Sequence, residues 1–224
     1  MEPKIKEKIP VKGMRATIAK RMGQSWKESP RVAEVVLVDA GKAQKLAEEK
    51  KSANVNFNDL LVKATALSLK MYPHMNSSLI NDEILIFDDV NIGLAVALDQ
   101  GLIVPVIHGA DNLSLEDISK KRKEIVEKVK GGARSPDILT GGTFTITNLG
   151  GFGLEFFTPI LNYPQCGILG VGAMKERPVV VEGKIFAALT LYLSLVFDHR
   201  ILDGAPAARF LNQIKEFIEK PEVL

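Results

Sequence analysis

The stretch Phe197-Asp198-His199-Arg200-Ile201-Leu202-Asp203-Gly204 puts a histidine and a carboxylate four residues apart, with glycine directly after, in the pattern His-x-x-x-Asp-Gly. Imidazole is the side chain whose ordinary titration lies near neutral pH, so a histidine held in place can take up and return a proton during a reaction. The plainer reading of the same residues is a histidine–aspartate pair that braces a turn. Of the three histidines, His74 lies in a proline-adjacent turn and His108 follows a strand-like run. Neither has acid or cysteine neighbours at metal-ligand spacing, so both read as structural. Cys166 sits in an apolar run, where cysteine usually behaves as a small buried hydrophobe rather than a nucleophile.

The elements around His199 must hold it at an edge. Leu189 to Phe197 (LTLYLSLVF) is rich in aromatic, aliphatic and threonine residues that suit a pleated, largely buried strand, and His199 falls at its end. After Asp203-Gly204, Ala208, Leu211, Ile214 and Ile218 recur at helical spacing, which predicts a helix up to about the Lys220-Pro221 stop. A strand, a tight turn with an ionisable ring and a helix together make a catalytic corner.

Further upstream, helices and strands alternate without an internal repeat. Gly13 to about Ser29 reads as a basic amphipathic helix whose stripe of Met14, Ile18, Met22 and Trp26 faces a core. Val32 to Val38 suits a strand and Lys42 to Lys51 a charged helix. A third helix, capped by Asn58 or Asp59, runs through Met71 and is ended by Pro73. Glu83 to Phe87 and Val90 to Leu98 read as strands, and Asp99-Gln100-Gly101 supplies a hairpin turn before Leu102 to Ile107. Ser114-Leu115-Glu116-Asp117 opens another helix, which Gly131-Gly132 ends, and a short hairpin is centred on Glu182-Gly183. The sum is an α+β chain with several strands in one mixed β-sheet and flanking helices.

Composition narrows the chemistry. At 224 residues with 25% charged and 46% hydrophobic residues and a net charge of +2, the chain can bury a real core and requires neither nucleic acid nor an anionic membrane as partner. A single cysteine excludes an intrachain disulfide and a thiolate zinc site, in keeping with a reducing, cytoplasmic setting. No apolar run is long enough to span a bilayer. The start, MEPKIKEKIP, is charged and proline-flanked and reads as the end of a linker at residues 1–8, with one domain over 9–224. There is no His-Glu-x-x-His, no Gly-x-Ser-x-Gly and no Gly-x-x-x-x-Gly-Lys, so zinc proteases, serine hydrolases and phosphate-loop enzymes lose their usual signatures. Gly151-Phe152-Gly153 and Gly170-Val171-Gly172 lack the third glycine of a dinucleotide site and read as turns and tight packing.

Across nearly its whole length the sequence resembles the catalytic domain of the dihydrolipoyl acyltransferases, the E2 cores of 2-oxo acid dehydrogenase complexes. The resemblance rests on ordered segments: IPVKGMRATIAKRM at 9–22, MYPHMNSSL at 71–79, VNIGLAVALDQGLIVPVI at 90–107, GGTFTITNLGGFG at 141–153, FFTPILNYPQCGILGVG at 156–172 and SLVFDHRILDGAPAARFLN at 194–212. It implies the coenzyme A-dependent, chloramphenicol acetyltransferase-like fold as a trimeric building block. It also implies transfer of an acyl group from a reduced lipoyl arm to coenzyme A, without a metal.

On this resemblance His199 is the base that withdraws the thiol proton, since a thiol with a pKa near about 8.5 is only slightly ionised at neutral pH. Thr147 in TFTITNLG matches the family's hydroxyl donor to the developing oxyanion; many relatives carry serine there, and threonine keeps the hydroxyl while restricting its rotamers. Asp203 takes an orienting and electrostatic role. The family's trimers place the site at a subunit boundary, with His199 of one copy facing Thr147 of the next, and assemble further into hollow cores through C-terminal residues. Phe217, Ile218, Val223 and Leu224 are the candidates for that contact, or else a plain frayed helix end. Neither a lipoyl domain nor a dehydrogenase-binding domain fits within 224 residues, so the lipoyl group is expected on a separate domain absent from this chain. The E1 decarboxylase and E3 dihydrolipoamide dehydrogenase are then expected as partners through those missing modules. FDHRILDG favours a branched-chain or pyruvate-type acyl group. Two other readings stay open: a non-catalytic scaffold subunit of such a complex, and a chloramphenicol acetyltransferase-like enzyme.

Overall fold

A computed structural model, which describes residues 2–98 and 101–224, builds the molecule around its longest strand. In chain order the elements are α1 (Gly13–Glu28), β1 (Arg31–Asp39), α2 (Gly41–Glu49), α3 (Phe57–Met71), β2 (Ser77–Ile80), β3 (Glu83–Ile86), β4 (Ile92–Leu94), β5 (Val96–Leu98), β6 (Gly101–Ile103), β7 (Val106–Ile107), α4 (Leu115–Lys130), α5 (Pro136–Leu139), β8 (Phe144–Asn148), β9 (Gly167–Val171), β10 (Lys175–Val181), β11 (Lys184–Asp198) and α6 (Gly204–Glu219). Seven strands form one mixed sheet in the order β1-β11-β9-β8-β4-β7, with β10 on the outer half of β11. β4, β8 and β9 run parallel to one another and the remaining pairings are antiparallel.

Period-two alternation in β11 divides its side chains between the two faces. Leu191, Leu193, Leu195 and Phe197 enter the main core with Phe144, Ile146, Leu169 and Val171 of neighbouring strands and with Leu60, Phe210, Leu211 and Ile214 of α3 and α6. There the Phe144 and Phe210 rings meet edge-on at 5.7 Å. On the other face Val196 packs with Ile168 and Leu161. One face is therefore helix-covered, while the other lies beneath the irregular chain that precedes β9.

Three expectations are corrected. The cap of α3 is Asn56, whose side chain accepts from the Asn58 N–H, while the Asp59 carboxylate accepts from the Asn56 N–H at 2.8 Å. Asp59 thus closes a capping box from inside the helix, as a residue at that third helical position does. The run Val90 to Leu98 is two strands: β4 joins the main sheet, and β5 turns away to pair with β6. The hinge is Ala95, whose N–H donates to the Ile146 carbonyl at 2.9 Å. This β5–β6 pairing is the expected hairpin, though Asp99 and Gln100 of its turn lie outside the described residues. The stripe on α1 does not reach the core, because α2, α3 and α6 already occupy the helix-covered face. Only Ser25 of α1 is buried, donating to the Leu161 carbonyl at 2.7 Å, and Trp26 is 64% exposed with the Arg31 guanidinium 3.9 Å above its ring.

Candidate active site

β11 ends at Asp198, and the chain turns there because Asp198 binds the next residues along. Its buried carboxylate accepts from the Arg200 backbone N–H at 3.0 Å and from the Arg200 guanidinium at 2.7 and 3.0 Å, while its carbonyl accepts from Ile201 N–H at 3.0 Å. A carboxylate gripping the main chain two residues on is a common way to fix a tight turn. Within this turn His199 donates its backbone N–H to the Pro30 carbonyl at 2.9 Å, which ties it to the start of β1. Its exposed ring stacks on Phe197 with centroids 5.8 Å apart and planes 29° from parallel. Asp203 is the N-cap residue of α6, in extended conformation, and its exposed side chain makes no capping hydrogen bond.

A second carboxylate was not anticipated. Glu34 lies on β1 opposite Leu195, whose side chain belongs to the helix-side core, so the glutamate is turned toward α6. Its Oε1 is 3.3 Å from where a Cβ would stand on Gly204, the first residue of α6. Burial pushes the Glu34 carboxyl up, against the pull of charge on His199. The signal was present in RVAEVVLVD: between the charged ends Arg31 and Asp39, Glu34 is the one charged residue, at a core-facing position.

Thr147 stands elsewhere. On β8 it is in register with Gly170 of β9, which is in register with Ser194 of β11, so the three share the face that lacks helices. A Cβ on Gly170 would collide with the Ser194 hydroxyl, which donates to the Phe157 carbonyl, so the close approach of these strands requires glycine. Thr147 is nearly buried, and among the described residues its hydroxyl makes no hydrogen bond. His199 lies two strand spacings across and five residues along from it, roughly 20 Å at about 4.8 Å per strand and 3.4 Å per residue. A base and an oxyanion donor serving one carbonyl must each come within about 3 Å of it. One copy of the chain therefore does not bring His199 and Thr147 to a common carbonyl.

Residues 3–224 match the family model for the 2-oxoacid dehydrogenases acyltransferase catalytic domain. The chain belongs to that family. It is 41% identical over 225 residues to the dihydrolipoyllysine-residue acetyltransferase component of the acetoin cleaving system of Bacillus subtilis, covering 97% of this chain and 56% of that protein. With the succinyltransferase component of the 2-oxoglutarate dehydrogenase complex of Rickettsia typhi it shares 37% identity, over 97% of this chain and 56% of the relative. The chain thus spans about half the length of these curated relatives.

Among solved structures, the cubic core of the pyruvate dehydrogenase multienzyme complex superposes with a TM-score of 0.92 at 32% identity, covering 100% of this chain and 98% of that one. The Azotobacter vinelandii dihydrolipoamide acetyltransferase, studied for the catalytic roles of a serine, a histidine and an asparagine, superposes at 0.93 and 32% identity with the same coverage. A chloramphenicol acetyltransferase shares the fold alone, at TM-score 0.62 and 12% identity over 89% of this chain and 94% of that one. The expected mixed sheet of this acyltransferase fold is the architecture present.

Of the remaining candidates in this acyltransferase domain, Cys166 is fully buried, its Sγ 3.9 Å from Met75 Sδ, and burial pushes the thiol up to about 12. That agrees with a structural role. His108 Nε2 lies 3.2 Å from the Asp137 carbonyl, and His74 lines a cavity of about 160 Å³ with Leu202, Pro206 and Phe210. Among the described residues no group of three or more His, Cys, Asp or Glu side chains could hold a metal ion, and no helix is long and apolar enough to cross a membrane.

Proposed function

We propose that residues 9–224, preceded by a linker end at 1–8, are the catalytic core of a dihydrolipoyllysine-residue acyltransferase that moves an acyl group from an S-acyl-dihydrolipoyl arm to coenzyme A. His199 accepts the proton of the coenzyme A thiol, and the thiolate sulfur bonds to the thioester carbonyl carbon as the carbonyl electron pair moves to oxygen. The Thr147 hydroxyl of a neighbouring copy donates to that oxyanion, an interaction stronger in the transition state than in the ground state. Collapse breaks the bond to the dihydrolipoyl sulfur, which takes the proton back from the imidazolium. Asp203 adds negative charge at the solvent side of the turn.

The observation that carries this reading is the pair of half-sites, an exposed imidazole on a braced turn and an unbonded threonine hydroxyl on the far strand, in a chain of acyltransferase lineage. The serine, histidine and asparagine studied in the Azotobacter enzyme stand at the same separations along their chain as Thr147, His199 and Asp203 do here. Threefold association of copies, His199 facing Thr147, completes the site. Such trimers assemble into a larger hollow core that takes its lipoyl arm from a separate domain and works with E1 decarboxylase and E3 dihydrolipoamide dehydrogenase. We favour the acyl group of a branched-chain or pyruvate-type complex, and a cytoplasmic setting in which the buried Cys166 thiol stays reduced.

The test is transfer from acyl-dihydrolipoamide to coenzyme A over a panel of acyl donors, with His199→Ala as control. Parental activity with a loss of about 10² to 10⁴ in the variant is expected. Undiminished transfer in His199→Ala would defeat the base assignment, and absent transfer in the parent would favour a scaffold.

A further inference from the structure

Glu34 deepens the acyl-transfer reading and rests on it. Its Oε2 is cut off from solvent and has no hydrogen-bond partner among the described residues, although a buried carboxylate oxygen without a donor is costly. The main chain holds it in that position. Its strand is paired with β11 from Arg31↔Asp198 to Asp39↔Thr190, and α6 begins against its Oε1. Two positions along from Leu195 on the same face is Phe197, on which the His199 ring stacks.

Other charged groups on the elements packed there are engaged or lie apart. Arg31, in register with Asp198 on the opposite face, stacks on Trp26; Asp39 accepts from Gly41 N–H; and Lys215 of α6 donates to the Leu37 carbonyl and pairs with Glu219. Asp203 and Arg209, in the first turns of α6, are exposed. Glu34 thus reaches the end of the segment that begins at His199, with its Oε1 against Gly204 and the Phe197 ring that carries the imidazole on the same face of the sheet.

We propose that Glu34 is a positioning residue for the base: fixed between α6 and the His199 turn, its carboxylate stabilises the positive charge that the ring acquires and keeps with the thiol proton. Asp203 faces water and is screened, whereas a carboxylate on the protein side of the ring acts through a medium of lower dielectric. The charge is in place before the reaction, so no reorganisation accompanies proton transfer.

Glu34→Gln keeps the shape and removes the charge. In the assembled protein we expect kcat to fall by about tenfold with both KM values within about twofold of the parent, because the interaction is made only once the ring is charged. Removing a negative charge disfavours the imidazolium, so the acid limb of the kcat/KM profile moves to lower pH. Glu34→Asp, which keeps the charge on a shorter stem, recovers part of kcat and restores the acid limb. An unchanged kcat in Glu34→Gln, or a lowered kcat with an unmoved acid limb, overturns the proposal, the second outcome making Glu34 purely structural. Failure of the acyl-transfer reading looks different: the parent lacks transfer, or His199→Ala retains it, whatever Glu34 does.

Discussion

His199 is placed by its backbone and by a stacked neighbour: the N–H bond to Pro30 and the Phe197 face hold the ring at the surface of the turn. Thr147 is held by the opposite means, nearly buried in a strand with its hydroxyl uncommitted. If that hydroxyl serves the oxyanion, Thr147→Ser keeps activity, while Thr147→Val, equal in volume, lowers kcat by about 10² to 10³ with unfolding unchanged. Steady-state kinetics beside a denaturation curve checks both halves of this statement. Cys166 gives an independent residue-scale expectation. With its thiol pushed up to about 12, the thiolate fraction at pH 8 is roughly one part in ten thousand, so maleimide labels the unfolded chain rapidly and the native one hardly at all.

At the scale of elements, the helix-side core depends on a buried ion pair. Asp59 is fully buried, closes the α3 capping box and accepts from the Arg122 guanidinium of α4 at 2.6 Å. Asp59→Ala strands the Arg122 charge and opens the box together, and a loss of about 3–5 kcal/mol in chemical denaturation is expected. On the opposite face a glycine sets the spacing. A Cβ on Gly172 would overlap the Glu155 carbonyl, a backbone atom that cannot swing aside, so Gly172→Ala displaces the chain whose Phe157 carbonyl binds Ser194. The helices and strands themselves were readable, since capping residues and periodicity act locally: Ser114 caps α4 as expected, and α6 runs over the expected stretch. The break between β4 and β5 was not, because the apolar run from Val90 to Leu98 continues through Ala95 and only pairing with different partner strands divides it.

For the whole molecule the separation of roughly 20 Å between His199 and Thr147 makes a prediction about copies, on the proposal that both serve one site. Mixing His199→Ala with Thr147→Ala chains during refolding joins an intact His199 to an intact Thr147 at about a quarter of the subunit boundaries in a random trimer. Each variant alone is inactive, and the mixture is expected to recover about that share of parental transfer. No recovery in well-formed mixed trimers would place both groups in one subunit's site. The surface offers apolar area for association: Val180, Val181, Ile185 and Phe186 of the β10–β11 hairpin and Ile84 and Ile86 of β3 are exposed. Of the four C-terminal residues considered for contacts between trimers, Ile218 is fully buried in its own core and Phe217 and Leu224 pack against it, which leaves Val223, 64% exposed.

What the sequence determined by itself was local and ordered: alternating apolar residues that make β11, the turn signal at Asp198 to Gly204, the helix beyond it, and the run of motifs that marks the acyltransferase lineage. Those features depend on neighbours a few positions apart. Tertiary structure alone decided that Glu34 stands against Gly204 at the start of α6 while Asp203 faces water, and that Thr147 lies far from His199. The reason is register: strand pairing fixes which distant residues come side by side, and a one-residue slip of β1 would turn Glu34 to the other face.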